Sequence, residues 1–318
     1  MSEAGTEFLS ILAATLRLAT PLVLAALGGL FSERSGVIDI GLEGKMLGSA
    51  FAAAAAAAAT GSAWMGLLAG VAAAMLLALL HAYAAVSQGG NQVVTGMAIN
   101  VLVAGLAPVL ATAWFHLDGT TPMLPSAARF GALTLPGFAS LGAFYRQVIS
   151  GHNGFVYAAA LAVPAAALLL ARTRFGLRLR AAGENPQAVE TAGVSVSAIR
   201  YRALLLTGLL CGLAGAYLSL AAGAGFTRMM TAGRGYLALA ALIFGRWRPV
   251  PAALACLLFA FADATQARLQ GVALPVVGAM PVELVSAIPY VLTLLLLAGF
   301  GGAARAPSAL GVPYRRDG

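Results

Sequence analysis

The chain has 318 residues, 60% of them hydrophobic and only 9% charged, with a formal net charge of +8 and a mean hydropathy of +0.89. A soluble core of this length could not enclose so much apolar side chain, so the expected fold class is all-α, a polytopic transmembrane helical bundle with the bilayer as solvent for the surplus. The basic balance does not argue for nucleic acid, because the arginines stand in loops beside apolar segments, where setting topology explains them first.

The amino terminus carries Glu3 and Glu7 ahead of an apolar run from about Phe8 to Leu30. A cleaved signal peptide would begin positive and end on small residues, so this first span is expected to be retained. The next apolar stretch runs from Val37 through the alanine run Ala52 to Ala59, and the join between the two reads SERSGVIDIGLEGKMLG. Ionisable groups inside a membrane segment suggest function by default, and this join holds Asp39, Glu43 and Lys45. Asp39 and Glu43 are spaced to share a face if the segment is helical, while Gly36, Gly41 and Gly44 would allow a broken or re-entrant helix. Two readings stay open: charges hydrated at the cytoplasmic interface, or a structural hinge beside a pathway.

A third span covers about Trp64 to Val86, and a fourth about Gln92 to Trp114. Gly66 with Gly70, like Gly208 with Gly212 further on, has the spacing that lets helices approach closely in lipid. In the fourth span Gln92, Gly96, Asn100, Ala104 and Pro108 form an i, i+4 ladder along one stripe. Amides there suit a route for a neutral polar solute such as a nucleoside or a sugar, and equally suit hydrogen bonding between helices. The stretch from Phe115 to Asn153 is the longest loop on one side of the membrane.

After a fifth span, about Phe155 to Ala171, comes a loop over 172–200 bearing Arg172, Arg174, Arg178, Arg180 and Arg200, with Arg202 just beyond. It is expected to be cytoplasmic. Within it Asn185 can cap a short helix, Pro186 suits the first helical position, and Gly193 can end it in a left-handed conformation, giving a helix of about Pro186 to Ala192. So short a helix needs support from something else. Either the loop only stops transfer, or Ala188, Val189 and Ala192, with Glu184 and Glu190 at the rim, dock into a cleft on a partner. A sixth span covers about Tyr201 to Ala222. Gly235 to Phe244 is a short apolar piece that either crosses or re-enters, Val250 to Ala262 is apolar again, and Val285 to Phe300 is the last span. The count is about 8 or 9 spans. Arg305, Arg315 and Arg316 put the carboxyl terminus inside, and an odd number of crossings puts the amino terminus outside.

Cys211 and Cys256 fall inside apolar segments without metal or redox spacing, and His81, His116 and His152 are scattered, so neither metal nor cofactor is expected. The phosphate-binding pattern GxxxxGK[ST] is missing, because Lys45 is followed by Met46. The chain is therefore not expected to hydrolyse ATP by that route or to be an enzyme.

Four stretches together, ERSGVIDIGLEGKMLGSAF, GGNQVVTGMAIN, FGLRLRAAGENPQAVETAGV and TAGRGYLALAALIFGRWRP with the tail ARAPSALGVPY, carry a resemblance. The chain resembles the permease subunits of nucleoside and simple-sugar ABC importers, within the larger group that includes ribose and branched-chain amino acid permeases, over about Leu16 to Tyr314. The resemblance implies one transmembrane permease domain over 1–318, in the bacterial plasma (inner) membrane. It implies as partners a cytoplasmic ATPase, which hydrolyses the ATP, an extracytoplasmic substrate-binding protein, and a second permease; the short start looks like the nucleoside branch, in which that second permease is a different chain. Gly183, Glu184, Asn185 and Pro186, with Glu190 and Gly193 in the same loop, would then be the coupling loop that touches the ATPase, while Glu43, Asn91, Gln92 and Asn100 match motif positions near the translocation path. The cargo expected is a nucleoside. A simple sugar is the alternative, and so is an ion-coupled secondary transporter using Asp39 and Glu43.

Overall fold

The computed structural model describes residues 3–134, 136, 142–269, 273–274, 278–279, 291 and 305–314. Apart from Val291, the predicted last span, 285–300, lies outside the described residues, as do Arg315 and Arg316.

Helix α1 (Glu3–Arg34) runs through the middle of the bundle. It is apolar on every side from Leu22 to Phe31 and buried over that length, as expected of a helix surrounded by others. It is followed in the chain by α2 (Leu42–Thr60), α3 (Ala63–Ala82), α4 (Gln92–Phe115) and α5 (Gly154–Arg172), the last of which packs against it. Further along the chain come α6 (Arg174–Glu184), α7 (Pro186–Thr191), α8 (Val196–Tyr217), α9 (Arg234–Phe244) and α10 (Pro249–Leu269). The loop between α4 and α5 closes in a short antiparallel ladder, Ala132–Leu133 against His152–Asn153.

Small residues set how closely these helices pack. A methyl group on Gly66 would stand 2.7 Å from the Ala53 carbonyl oxygen, and one on Gly70 would stand 2.8 Å from Ser49 Oγ, so α3 rests directly on α2. From the other side Gly208 and Gly212 of α8 meet α3 equally closely, each 2.8 Å from Ala78 or Val71 atoms. Both predicted glycine pairs thus sit at helix contacts, where packing in lipid depends on close approach. Hydroxyls tie the same layer together: Thr207 donates to the Gly28 carbonyl at 2.8 Å and Ser49 to the Gly212 carbonyl at 2.6 Å.

Among the described residues six helices are long and apolar enough to cross a membrane. Helix α9, with 11 residues, rises about 17 Å against a hydrocarbon layer of about 30 Å, which makes Gly235 to Phe244 a half-helix and not a crossing. The join at 35–41 breaks α1 from α2, as its glycines suggested, and the second apolar element begins at Leu42 instead of Val37. Asp39 therefore lies in the irregular connection. It does not share a helical face with Glu43, which stands in the first turn of α2. The physical reason is Gly36: at φ +90° it ends α1 in the left-handed region, and the chain leaves the helix axis there.

Candidate functional site

The break after α1 is closed by its own hydrogen bonds. Gly36 N–H donates to the Glu33 carbonyl at 3.0 Å, Val37 N–H to the Ser32 carbonyl at 3.2 Å, and Ser32 Oγ–H to the Val37 carbonyl at 2.6 Å. Beyond it Asp39 turns inward. Its carboxylate accepts from the Gly41 N–H at 3.1 Å and from the Lys45 ammonium, and His81 Nδ1 of α3 stands 3.7 Å from it. Asp39, Lys45 and His81 are all 0% exposed, which rules out the reading of charges hydrated at an interface. A buried pair of this kind holds only while both members are present.

Helix α4 presents its amides to this break. Gln92 Oε1 accepts from the Ile38 N–H at 2.7 Å, and Asn100 Oδ1 from the Gly44 N–H at 2.7 Å. Asn100 Nδ2 donates to the Ile40 carbonyl at 3.0 Å and to the Tyr236 hydroxyl of α9 at 2.9 Å. Such close contact requires glycine: a methyl group on Gly96 would stand 2.9 Å from Gly41 N, and one on Gly44 2.9 Å from Asn100. Three backbone groups of the break and the first turn of α2, the Ile38 and Gly44 N–H and the Ile40 carbonyl, are satisfied by the two amides.

Glu43 reaches another element. Its two oxygens accept from the Gly233 N–H at 2.9 Å and the Gly235 N–H at 2.6 Å, at the start of α9. A carboxylate there pairs the free amides of a helix start and complements its dipole. Of the four residues expected near the path, Glu43, Gln92 and Asn100 meet around the break. Asn91 is apart from them: it is exposed and caps α4, accepting from the Val93 and Val94 N–H groups at 3.0 and 3.1 Å. Sequence reasoning missed His81 and Tyr236. A lone histidine inside an apolar run was the available signal for the first; nothing in the sequence pointed to the second.

On the arginine-rich side Thr173 caps α6 by accepting from the Gly176 N–H at 3.0 Å. Asn185 ends α6 and caps α7, accepting from the Ala188 N–H at 3.1 Å, with Pro186 at the first position and Gly193 at φ +76° past the end. The short helix is therefore built as its local sequence indicated, over Pro186–Thr191. One expectation is corrected. Val189 is buried, packed into the protein's own core, while Ala188 and Ala192 face out, because so short a helix is held in place by the apolar side chain it turns inward.

The carboxyl-terminal stretch stitches this helix pair to the break. Ala309 N–H donates to the Gly183 carbonyl at 2.8 Å, Gly311 N–H to the Gly36 carbonyl at 3.1 Å, and Ser308 Oγ–H to the Glu184 carboxylate at 2.9 Å. Arg200, buried, donates from Nε to the Ser35 carbonyl at 3.2 Å and from Nη1 to the Val312 carbonyl at 3.3 Å. A cavity of about 480 Å³ opens between Glu184 to Gln187 and Ser308 to Tyr314 on the same face. The two regions that the sequence presents separately, the loop of Gly183 to Gly193 and the break with its amides, are thus one connected assembly. The end of α6, from which α7 continues, cannot move far without moving Gly36.

A family model described as "Branched-chain amino acid transport system / permease component" matches residues 11–297. The guanosine ABC transporter permease protein NupQ of Bacillus subtilis (strain 168) is 39% identical, covering 97% of each chain. The nucleoside ABC transporter permease protein NupC of Lactococcus lactis subsp. cremoris (strain MG1363) is 35% identical over 96% of each. TsgC13 of Haloferax volcanii, a glucose ABC transporter permease by provisional assignment, is 36% identical over 90% of each.

Proposed function

Since the chain belongs to the family of branched-chain amino acid transport system permease components, as a multi-pass membrane permease subunit of an ABC transporter and not an enzyme, we propose that it imports nucleosides across the bacterial plasma membrane. Its amino terminus is outside and its carboxyl terminus in the cytoplasm. ATP hydrolysis belongs to a separate ATPase subunit of such systems, a binding protein delivers the solute, and the second permease is a different chain.

The observation that carries this reading is the bonded connection from the end of α6, from which α7 continues, to the break. Gly183, Glu184, Asn185, Pro186, Glu190 and Gly193 meet the ATPase, and force passes through Gly183 and the stretch 308–312 into Gly36. From there it reaches Asp39, Gln92, Asn100 and Glu43. In our reading these residues stand beside the path and move it, with Asn91 keeping α4 intact at its start. The solute passes along Tyr236, a half-exposed ring bonded to Asn100, whose face suits a nucleobase.

The test is uptake of guanosine by vesicles holding this chain with its ATPase, second permease and binding protein. Deleting Pro186–Ala192 should abolish ATP-dependent uptake while membrane insertion persists; unchanged uptake would defeat the reading. The likeness to TsgC13 supports a sugar as the second reading, and glucose displacing guanosine from the binding protein would favour it. Uptake that collapses with an uncoupler while ATP is held constant would instead indicate an ion-coupled transporter using Asp39 and Glu43.

A further inference from the structure

Two cavities adjoin at the end of the bundle away from the arginine-rich loop. The first, about 520 Å³, lies between α1, the start of α9, the end of α8 and the loop before α5. Arg17 and Arg234 both line it, together with Tyr217 and His152. No acidic side chain lines it among the described residues, and neither arginine has an ion pair there. Arg234 gives one N–H to the Met230 carbonyl at 3.0 Å, and Asp263 acts on it only at longer range. Tyr217, which lines the same chamber, donates from its hydroxyl to the Arg17 carbonyl at 3.0 Å.

His152 adds an independent signal. The side chain is 2% exposed, its Nε2 bonds the Val148 carbonyl at 3.0 Å, and its Nδ1 has no partner. Donation from Nε2 leaves Nδ1 as an acceptor. Burial, and then the nearby Arg17, hold the imidazole below its ordinary range, so it is neutral and needs a donor. An acceptor without a partner among the described residues, beside two cations without an ion pair among them, describes a ligand with a negative group and a hydroxyl.

The second cavity shares His152 and is of the opposite character. It measures about 310 Å³ and is lined almost wholly by apolar side chains of α1, α5 and α10. Its walls descend from Leu16 to Val23 and from Val156 to Val163, two parallel paths of about 11 Å toward the arginine-rich end. Arg17 stands seventeen residues before Arg34, whose Nε bonds the Trp247 carbonyl at that end. The separation is about 26 Å along α1, so with Arg34 at one boundary of a hydrocarbon layer of about 30 Å, Arg17 lies near the other. A charged chamber at the boundary with an apolar slot running inward matches a lipid head and its chain.

We propose that the two cavities form one site for an anionic phospholipid with a hydroxylated head, of the phosphatidylglycerol type. Its phosphate lies between Arg17 and Arg234 in charge-assisted bonds, a head hydroxyl donates to His152 Nδ1, and one acyl chain fills the slot beside Ala159 and Ala160. The slot gives little preference among lipids, because the chain leaves one apolar medium for another. Selection belongs to the head. A zwitterionic head would bring an ammonium beside two guanidiniums and is disfavoured.

The experiment is native mass spectrometry of the transporter purified with its partner subunits, titrated separately with phosphatidylglycerol, phosphatidic acid, phosphatidylethanolamine and inorganic phosphate. Retention of phosphatidylglycerol should exceed that of phosphatidylethanolamine by about tenfold. Arg17→Gln, at an exposed side chain, should remove most of that preference, and the pair with Arg234→Gln all of it. His152→Phe should lower phosphatidylglycerol toward phosphatidic acid, and Ala160→Trp should lower every lipid alike. Equal retention of the charged and zwitterionic lipids by the unaltered protein would overturn the proposal. Displacement of the lipid by inorganic phosphate would overturn it in favour of a free-anion site. Loss of guanosine uptake in Arg17→Gln with lipid retention unchanged would assign the chamber to the cargo route instead.

Discussion

Gly183 packs against Arg34 so closely that a methyl group added to it would stand 2.2 Å from the Arg34 carbonyl oxygen. Backbone meets backbone there, with no flexible side chain to yield, so a displacement of α6 and α7 passes directly to the end of α1. Gly183→Ala should force the two apart at a cost of about 1–3 kcal/mol. In vesicles carrying the whole transporter, solute moved per ATP should fall by about tenfold while ATP hydrolysis continues. Equal losses in both would point to a general folding defect.

The Asp39 and Lys45 pair should tolerate loss of both charges better than loss of one. Lys45→Met leaves a buried carboxylate beside a histidine and should cost about 3–5 kcal/mol, whereas Asp39→Asn combined with Lys45→Met should recover much of it. Thermal unfolding of the purified chain in detergent measures the difference. A double variant no more stable than Lys45→Met would contradict the pairing.

Glu43 holds the first turn of α9 from a distance of 190 residues in the chain. Glu43→Gln keeps the shape, but one of its two groups now meets an amide as a donor, and about 1–2 kcal/mol of capping should be lost. Hydrogen exchange at the amides of Gly233 and Gly235 should quicken, while the amides of α3 stay unchanged.

Asn100 and Tyr236 should separate a holding role from a contact role. Asn100→Leu leaves the Gly44 N–H and the Ile40 carbonyl without their partner, at about 1–3 kcal/mol for each buried group, and should lower stability. Tyr236→Ala removes a half-exposed ring. It should raise the KM for guanosine several-fold with little change in thermal unfolding. A KM unchanged in Tyr236→Ala would move the cargo route away from α9.

The elements themselves were legible in the residues. Apolar runs of sufficient length, the short run between Gly233 and Gly245, and the cap formed by Asn185, Pro186 and Gly193 each depend on chemistry within a few positions of chain. The glycine pairs marked where helices touch, though not which helix each would meet. The amides of α4 had two readings, and their bonds to 38–44 give both side chains backbone partners at the break.

What the sequence by itself determined is an apolar multi-span bundle with one basic loop and a capped helix inside it, since solvent preference and local capping act over short separations. Only the tertiary structure decided that Asp39 leaves the helix to meet Lys45 and His81, that Val189 turns inward, that Glu43 caps α9, and that 308–312 binds the end of α6 to Gly36. Those pairings join residues up to a few hundred positions apart. No periodicity or propensity encodes them; they follow from burial, which obliges each charge and each broken stretch of backbone to find its partner wherever the packed helices bring one.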